Sequence, residues 1–275
     1  MESSKGNCYP AGRWVDFLKA CLIRGQAGED AWYSWVEAVG TPSALKSTAW
    51  RGTKRWWPLL SKALQRNQIK VPSGLATALK SAYMTETIRY DYCRQVADEV
   101  LSILQKAGFD PVLNKGMAFA ETIYEQPALR HCHELDIIIC QGPLKGAVKA
   151  LGSDFRFPRP KPTSTRSRLD LVHRSGLPLK LQSKSSAISW SGESNTDMFI
   201  YNKKRQCNIL TPELMLAQVC FEADEKGDFP FDWISDGLQL ISIGNLNRYL
   251  LNTIELSGDA AEVINERLCF LDNMA

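Results

Sequence analysis

The pattern of apolar and polar residues changes character several times along the chain. Up to about residue 80, short apolar clusters are interrupted by Gly25, Gly28, Gly40, Pro42, Gly52, Pro58 and Pro72, which predicts short helices joined by turns. Over residues 85–107, Ile88, Tyr92, Val96, Val100, Ile103 and Leu104 recur at steps of three and four, a long amphipathic helix stopped by Gly108. A short apolar strand at 111–113 leads through Asn114, Lys115 and Gly116 into a helix carrying Met117, Ala120, Ile123 and Tyr124 and closed by Pro127. The β-branched run at 134–140 predicts a buried strand, and Pro143 opens a helix that Gly152 ends. Alternation at 169–173 and 177–184 around Arg174, Ser175 and Gly176 predicts a hairpin, followed by a polar loop over 183–195. Beyond Cys207, Thr211 as N-cap and Pro212 at the first helical position start another helix, and the last seventy residues are expected to be helical.

Composition narrows the function classes. With 44% hydrophobic and 23% charged residues over 275 positions, the chain is an ordinary globular protein, which excludes disorder as its main state. A net charge of +3 is too small to make nucleic acid or an anionic membrane the default partner. The sequence holds no apolar run long enough to span a bilayer and no basic-then-apolar leader in its first twenty residues, so a cytoplasmic location is expected. Eight cysteines without a CxxC pair fit reduced, packed thiols. His131, Cys132, His133 and Cys140 form the one metal-like cluster, but at strand period His131 and His133 share a face that Cys132 does not, which argues against a shared ion. Six tryptophans (Trp14, Trp32, Trp35, Trp50, Trp56, Trp57) lie in the first stretch, where packing is favoured over a stacking platform for ligands.

Chemistry concentrates at Glu134 and Asp136. Two apart in an apolar strand, they project from one face with Cα atoms roughly 7 Å apart, close enough to share a divalent cation. The alternative is a strand end open to water. A loop over 155–168 carries Arg156, Arg159, Lys161, Arg166 and Arg168 between prolines, either as an anion funnel or as a solvated charged loop.

A Gly turn opening a helix and then an acid-x-acid strand resembles the core of the DNA polymerase β-like nucleotidyltransferases. More closely, the chain resembles the bacterial proteins grouped as uncharacterised nucleotidyltransferases. The carriers are Leu113-Asn114-Lys115-Gly116, then Tyr124-Glu125-Gln126-Pro127-Ala128-Leu129-Arg130, then Glu134-Leu135-Asp136. Trp57-Pro58-Leu59-Leu60 and Val71-Pro72 resemble the family's lead-in; Leu210-Thr211-Pro212-Glu213 and Phe231-Asp232-Trp233-Ile234-Ser235-Asp236 resemble its helical tail.

The resemblance implies an α/β (α+β) fold: a small mixed-sheet nucleotidyltransferase core at 96–200 between a helical N-terminal region, 1–95, and a helical C-terminal region, 201–275. It implies Mg²⁺ on Glu134 and Asp136, phosphate held by Lys115 and Gly116, and Arg130 as a further phosphate or structural contact. Arg156, Arg159 and Arg168 would add charge to the same cleft. Two departures mark this chain. Glu134 stands where the family has Asp, and Lys180 stands where it has a third carboxylate, so Lys180 is expected to act electrostatically in catalysis and to weaken the metal site. Asp170 is the substitute acid to consider. The expected function is a group transferase that takes a nucleotide or phosphorylated donor and modifies a small molecule or peptide, as in natural-product tailoring. The alternative is a degenerate member that binds a phosphorylated ligand or partner without metal-dependent transfer.

Overall fold

The computed structural model describes residues 9–158, 167–183, 198–222, 231–244, 246–247 and 260–274. Its N-terminal part is α1 (Arg13–Leu22), α2 (Gln26–Val39) and α3 (Trp57–Arg66), with 3₁₀ segments Pro42–Lys46 and Thr48–Trp56 before α3. Gly40 ends α2 in the left-handed conformation, φ 81°, donating its amide to Val36 O, and the Thr41 hydroxyl accepts from Ser43 N to start the next turn. The tryptophans pack, as expected: Trp32 stacks on Trp35 at 5.2 Å, Trp50 meets Trp35 edge-on at 4.9 Å, and all but Trp14 of the six are buried.

Helix α4 (Ser73–Lys106) is a single 34-residue rod, about 51 Å long at 1.5 Å per residue. It begins twelve residues before the expected start and runs through the boundary expected at 95/96. Leu75 and Leu79 in its first part, then Cys93, Val96, Ala97, Val100, Leu101 and Leu104, keep one stripe buried, so α3 packs on it near one end and the sheet and α6 (Leu144–Leu151) near the other.

Seven strands form one mixed sheet in the order β3-β4-β5-β2-β1-β7-β6: β1 (Pro111–Asn114), β2 (Leu135–Ile139), β3 (Phe155–Arg156), β4 (Arg168–His173), β5 (Pro178–Gln182), β6 (Phe199–Asn202) and β7 (Cys207–Leu210). Strand β2 is antiparallel to β1 and parallel to β5, and all five of its residues are buried, as its apolar run requires. The β4–β5 hairpin turns at Arg174–Gly176, as expected. Strands β6 and β7 carry the sheet past residue 200, into the 201–275 region expected to be helical. Their turn is pinned by Arg205, which pairs with Glu121 and lies 2.5 Å from Asp98. Most of the loop expected over 183–195 lies outside the described residues. Helices α5 (Lys115–Thr122), α7 (Pro212–Phe221), α8 (Asp232–Ser242) and α9 (Ala260–Met274) complete the fold, with Thr211 capping α7. The mixed α/β architecture with helices at both ends fits the nucleotidyltransferase fold that the sequence implies.

A buried polar network joins α8 to the segment that feeds β2. Asp236 accepts Arg130 Nε at 2.7 Å and Nη2 at 2.9 Å, and Tyr124 Oη at 2.7 Å. Ser235 Oγ also lies 2.7 Å from the Tyr124 hydroxyl, and Arg130 Nη1 donates to His131 O at 2.6 Å. One turn away, Asp232 accepts from Arg55 and from Trp56 Nε1, each at 2.8 Å. Burial alone would depress Arg130, but Asp236 outweighs it and holds the guanidinium well above its ordinary pKa. Arg130 is therefore a structural contact with Nε and both terminal nitrogens engaged inside the protein; the phosphate role expected for it is not what this geometry offers.

Removing one partner of such a buried pair leaves the other charge uncompensated. Asp236→Ala is expected to lower the urea-measured unfolding free energy by about 3–5 kcal/mol. A loss below about 1 kcal/mol would mean that the network is not holding α8 to the core.

Candidate active site

Strand pairing sets the site. Asn114 on β1, Asp136 on β2, Lys180 on β5 and Asp170 on β4 stand in successive cross-strand register, so their side chains leave the same face of the sheet. Glu134, two residues before Asp136, joins that face just ahead of β2. The sequence argument for a shared face therefore holds. The two lysines expected at the cleft, Lys115 and Lys180, both reach these acids.

Lys180 Nζ donates to Glu134 Oε1. Lys115 Nζ is 2.5 Å from Glu222 Oε2, just beyond α7, and 4.0 Å from Asp136 Oδ1. Asp136 is 3% exposed and its Oδ1 has no hydrogen-bond partner among the described residues; the same holds for Oδ1 and Nδ2 of buried Asn114 and for Nε2 of Gln182, two residues beyond Lys180. Burial pushes Asp136 up to about 6, with Lys115 pulling against it. Burial would lower Lys115, but Asp136, Glu222 and Glu134 outweigh that and raise it. The result is a compact face of alternating charges whose least satisfied atoms surround Asp136, with two ammonium groups beside it.

The turn that delivers Lys115 is unusual. Lys115, not Gly116, takes the left-handed backbone, φ 51°, at a cost on the order of 1 kcal/mol for a side-chain-bearing residue. Gly116 follows with an ordinary helical backbone, and a Cβ there would make only normal contact with Cys132 Sγ at 3.4 Å. Asn114 makes no side-chain cap to α5, so it leaves the amides of the first turn uncapped beside Lys115.

The other expected residues are more scattered. Arg168 lies on β4 with its Nε on Asp170 Oδ1 at 2.9 Å, which also occupies the substitute acid. Arg156 sits on β3, three strands from β2, about 14 Å away at the usual strand spacing, outside direct reach of Asp136. Arg159, Lys161 and Arg166 lie outside the described residues. His131 and His133 stack at 5.2 Å while Cys132 is buried, matching the face argument. Burial lifts the Cys132 thiol to about 12 and Cys93 to about 11, the signature of inert packed thiols. Glu222, Asn114 and Gln182 were given no role in the sequence; Asn114 lies inside the Lys-Gly turn motif, whereas Glu222 has no local signal.

The donor set suits the Mg²⁺ that the resemblance implies only in part. Asp136 and Asn114 offer free buried oxygens that suit one hard cation. Lys180 occupies Glu134 and brings positive charge to the same face, so the face does not fit a pair of ions. Among the described residues, no group of three or more His, Cys, Asp or Glu side chains is placed to hold a metal.

An acid whose folded-state pKa is raised destabilises the fold when charged. For Asp136 the penalty is absent below its unfolded value near 3.9, grows as pH rises through about 6 and is complete above that. In EDTA, Asp136→Asn is expected to stabilise the protein by about 2–3 kcal/mol at pH 8 and by nothing measurable at pH 3.5. A gain that does not change with pH would show that Asp136 titrates normally.

No curated protein matches the chain. The family described as uncharacterised nucleotidyltransferase matches residues 48–159, from the 3₁₀ segment before α3 to just past β3. That span holds the Lys115 turn, the Tyr124-to-Arg130 motif and the acidic strand, and the match supports a function of nucleotidyltransferase type. Residues 48–159 thus carry the sequence pattern of the uncharacterised nucleotidyltransferase family, as their motifs indicated.

Proposed function

We propose that the protein is a group transferase of nucleotidyltransferase type that binds a nucleotide or phosphorylated donor over Asp136, with Lys115 and the first turn of α5 holding phosphate oxygens. The observation that supports it is Lys115: a lysine in a strained left-handed turn, beside a helix start and 4.0 Å from a buried carboxylate. Asp136, with Asn114, would hold one Mg²⁺, which would supply charge to the donor's phosphates. Glu134 is engaged by Lys180, and Lys180 meets developing negative charge on the transferred or leaving oxygen. Ordinary nucleotidyl transfer from NTP is slow or absent in this reading, because an ammonium neither ligates a metal nor accepts the proton of an attacking hydroxyl. The acceptor is a small molecule or peptide, as in natural-product tailoring. The Lys180–Glu134 pair also favours a second reading, a protein that binds a phosphorylated ligand without metal-dependent transfer.

Calorimetry with a nucleotide panel, with and without Mg²⁺, separates the two. Lys115→Ala is expected to weaken binding by about 1.5–3 kcal/mol; unchanged affinity for every ligand bound by the native protein would remove Lys115 from the site. Lys180→Asp is expected to raise Mg²⁺ affinity, and Lys180→Ala to lower any turnover. Robust Mg²⁺-dependent transfer from NTP, undiminished in Lys180→Ala, would contradict the role given to Lys180 and turn attention to Asp170.

A further inference from the structure

Between the 3₁₀ segment Thr48–Trp56 and α4 lies a cavity of about 510 Å³, a volume suited to a small molecule. Its wall is cationic. Arg55 is neutralised from behind by Asp232 at 2.8 Å, whereas Arg89, 3.2 Å from Glu86, shares that one carboxylate with His131. Lys54 stands over the Trp57 ring, 5.9 Å from its centroid, and no carboxylate of the described residues pairs with it. The wall thus carries surplus positive charge beside an apolar surface made by Trp57, Ala78 and Ala82.

Two histidines stand between the cavity and the acids. His131 lines the cavity, and its Nδ1 faces both oxygens of buried Glu86 at 3.0 and 3.1 Å. A ring nitrogen facing a carboxylate carries the proton, so Nε2 is the nitrogen left to meet a ligand. The His131 ring stacks on His133, and His133 Nε2 is 4.0 Å from Glu134 Oε2. Two imidazole rings therefore separate the cavity from the carboxylate that Lys180 holds.

We propose that this cavity binds a small organic acid, its carboxylate toward Lys54 and Arg89 and an aromatic or otherwise apolar body on Trp57, Ala78 and Ala82. The binding of an aromatic acid here does not rest on the transferase reading. The charge selects acids over neutral molecules, and the apolar wall selects a body larger than acetate.

The test is a ¹⁹F NMR titration of the full chain with 4-fluorophenylacetate and with its neutral analogue 2-(4-fluorophenyl)ethanol. The acid is expected to bind at least about tenfold more tightly than the alcohol. Lys54→Ala and Arg89→Ala are each expected to weaken the acid about five- to tenfold. Ala78→Trp, which fills the cavity, abolishes binding in a protein whose circular dichroism is native. Equal affinity for the alcohol, native affinity in both charge variants, or no binding of the acid below about 10 mM would overturn the proposal, whatever nucleotides do. Failure of every nucleotide to bind, with the acid behaving as expected, would remove the transferase reading and leave the cavity as a binding site for acids.

Discussion

The position of the acids depends on the buried pair between Arg130 and Asp236. Arg130 immediately precedes the segment that feeds β2, so fixing its guanidinium to α8 fixes where Glu134 and Asp136 enter the sheet. Tyr124, donating to the same Oδ1 that accepts Arg130 Nε, secures the exit from α5, and Asp232 one turn earlier secures the N-terminal helical part through Arg55 and Trp56. Three parts of the chain that are distant in sequence thus meet at one helix. The Tyr124-to-Arg130 segment and the helix that carries Asp236 are the two halves of this contact.

Within that frame the site stores unfavourable energy in two places. Lys115 occupies a backbone region that lysine disfavours, and Asp136 is buried with its pKa raised by desolvation. Neither helps the fold. Both aim charge at the same spot, which is the usual relation between strain and a functional site. Lys180 pairs with the neighbouring acid, Glu134, and in the proposed function this shifts the balance of the face from metal binding toward anion binding.

Much of this was legible in the residues. The β-branched 134–140 run marked a buried strand, period 2 put Glu134 and Asp136 on one face, and the family resemblance brought Lys180 to the same site. Arg130 was harder, because an arginine before an acidic strand resembles a phosphate ligand when its own carboxylate lies 106 residues later. The start of α4 was hidden by Gly74, a helix-weakening residue that the packing of Leu75 and Leu79 overrides. Strands β6 and β7 escaped because Ile200 and Tyr201 are exposed at the sheet's edge and the hairpin is held by Arg205 reaching back to Glu121, a tertiary contact with no local pattern. Glu222 reaches Lys115 in the same way.

The central claim is that an ammonium has taken the place of the third carboxylate, leaving at most one cation beside Asp136. Electron paramagnetic resonance of Mn²⁺ bound in the presence of a non-hydrolysable nucleoside triphosphate counts those ions directly. The account predicts at most one Mn²⁺ per chain, lost in Asp136→Asn; two spin-coupled Mn²⁺ ions in the native protein would contradict it.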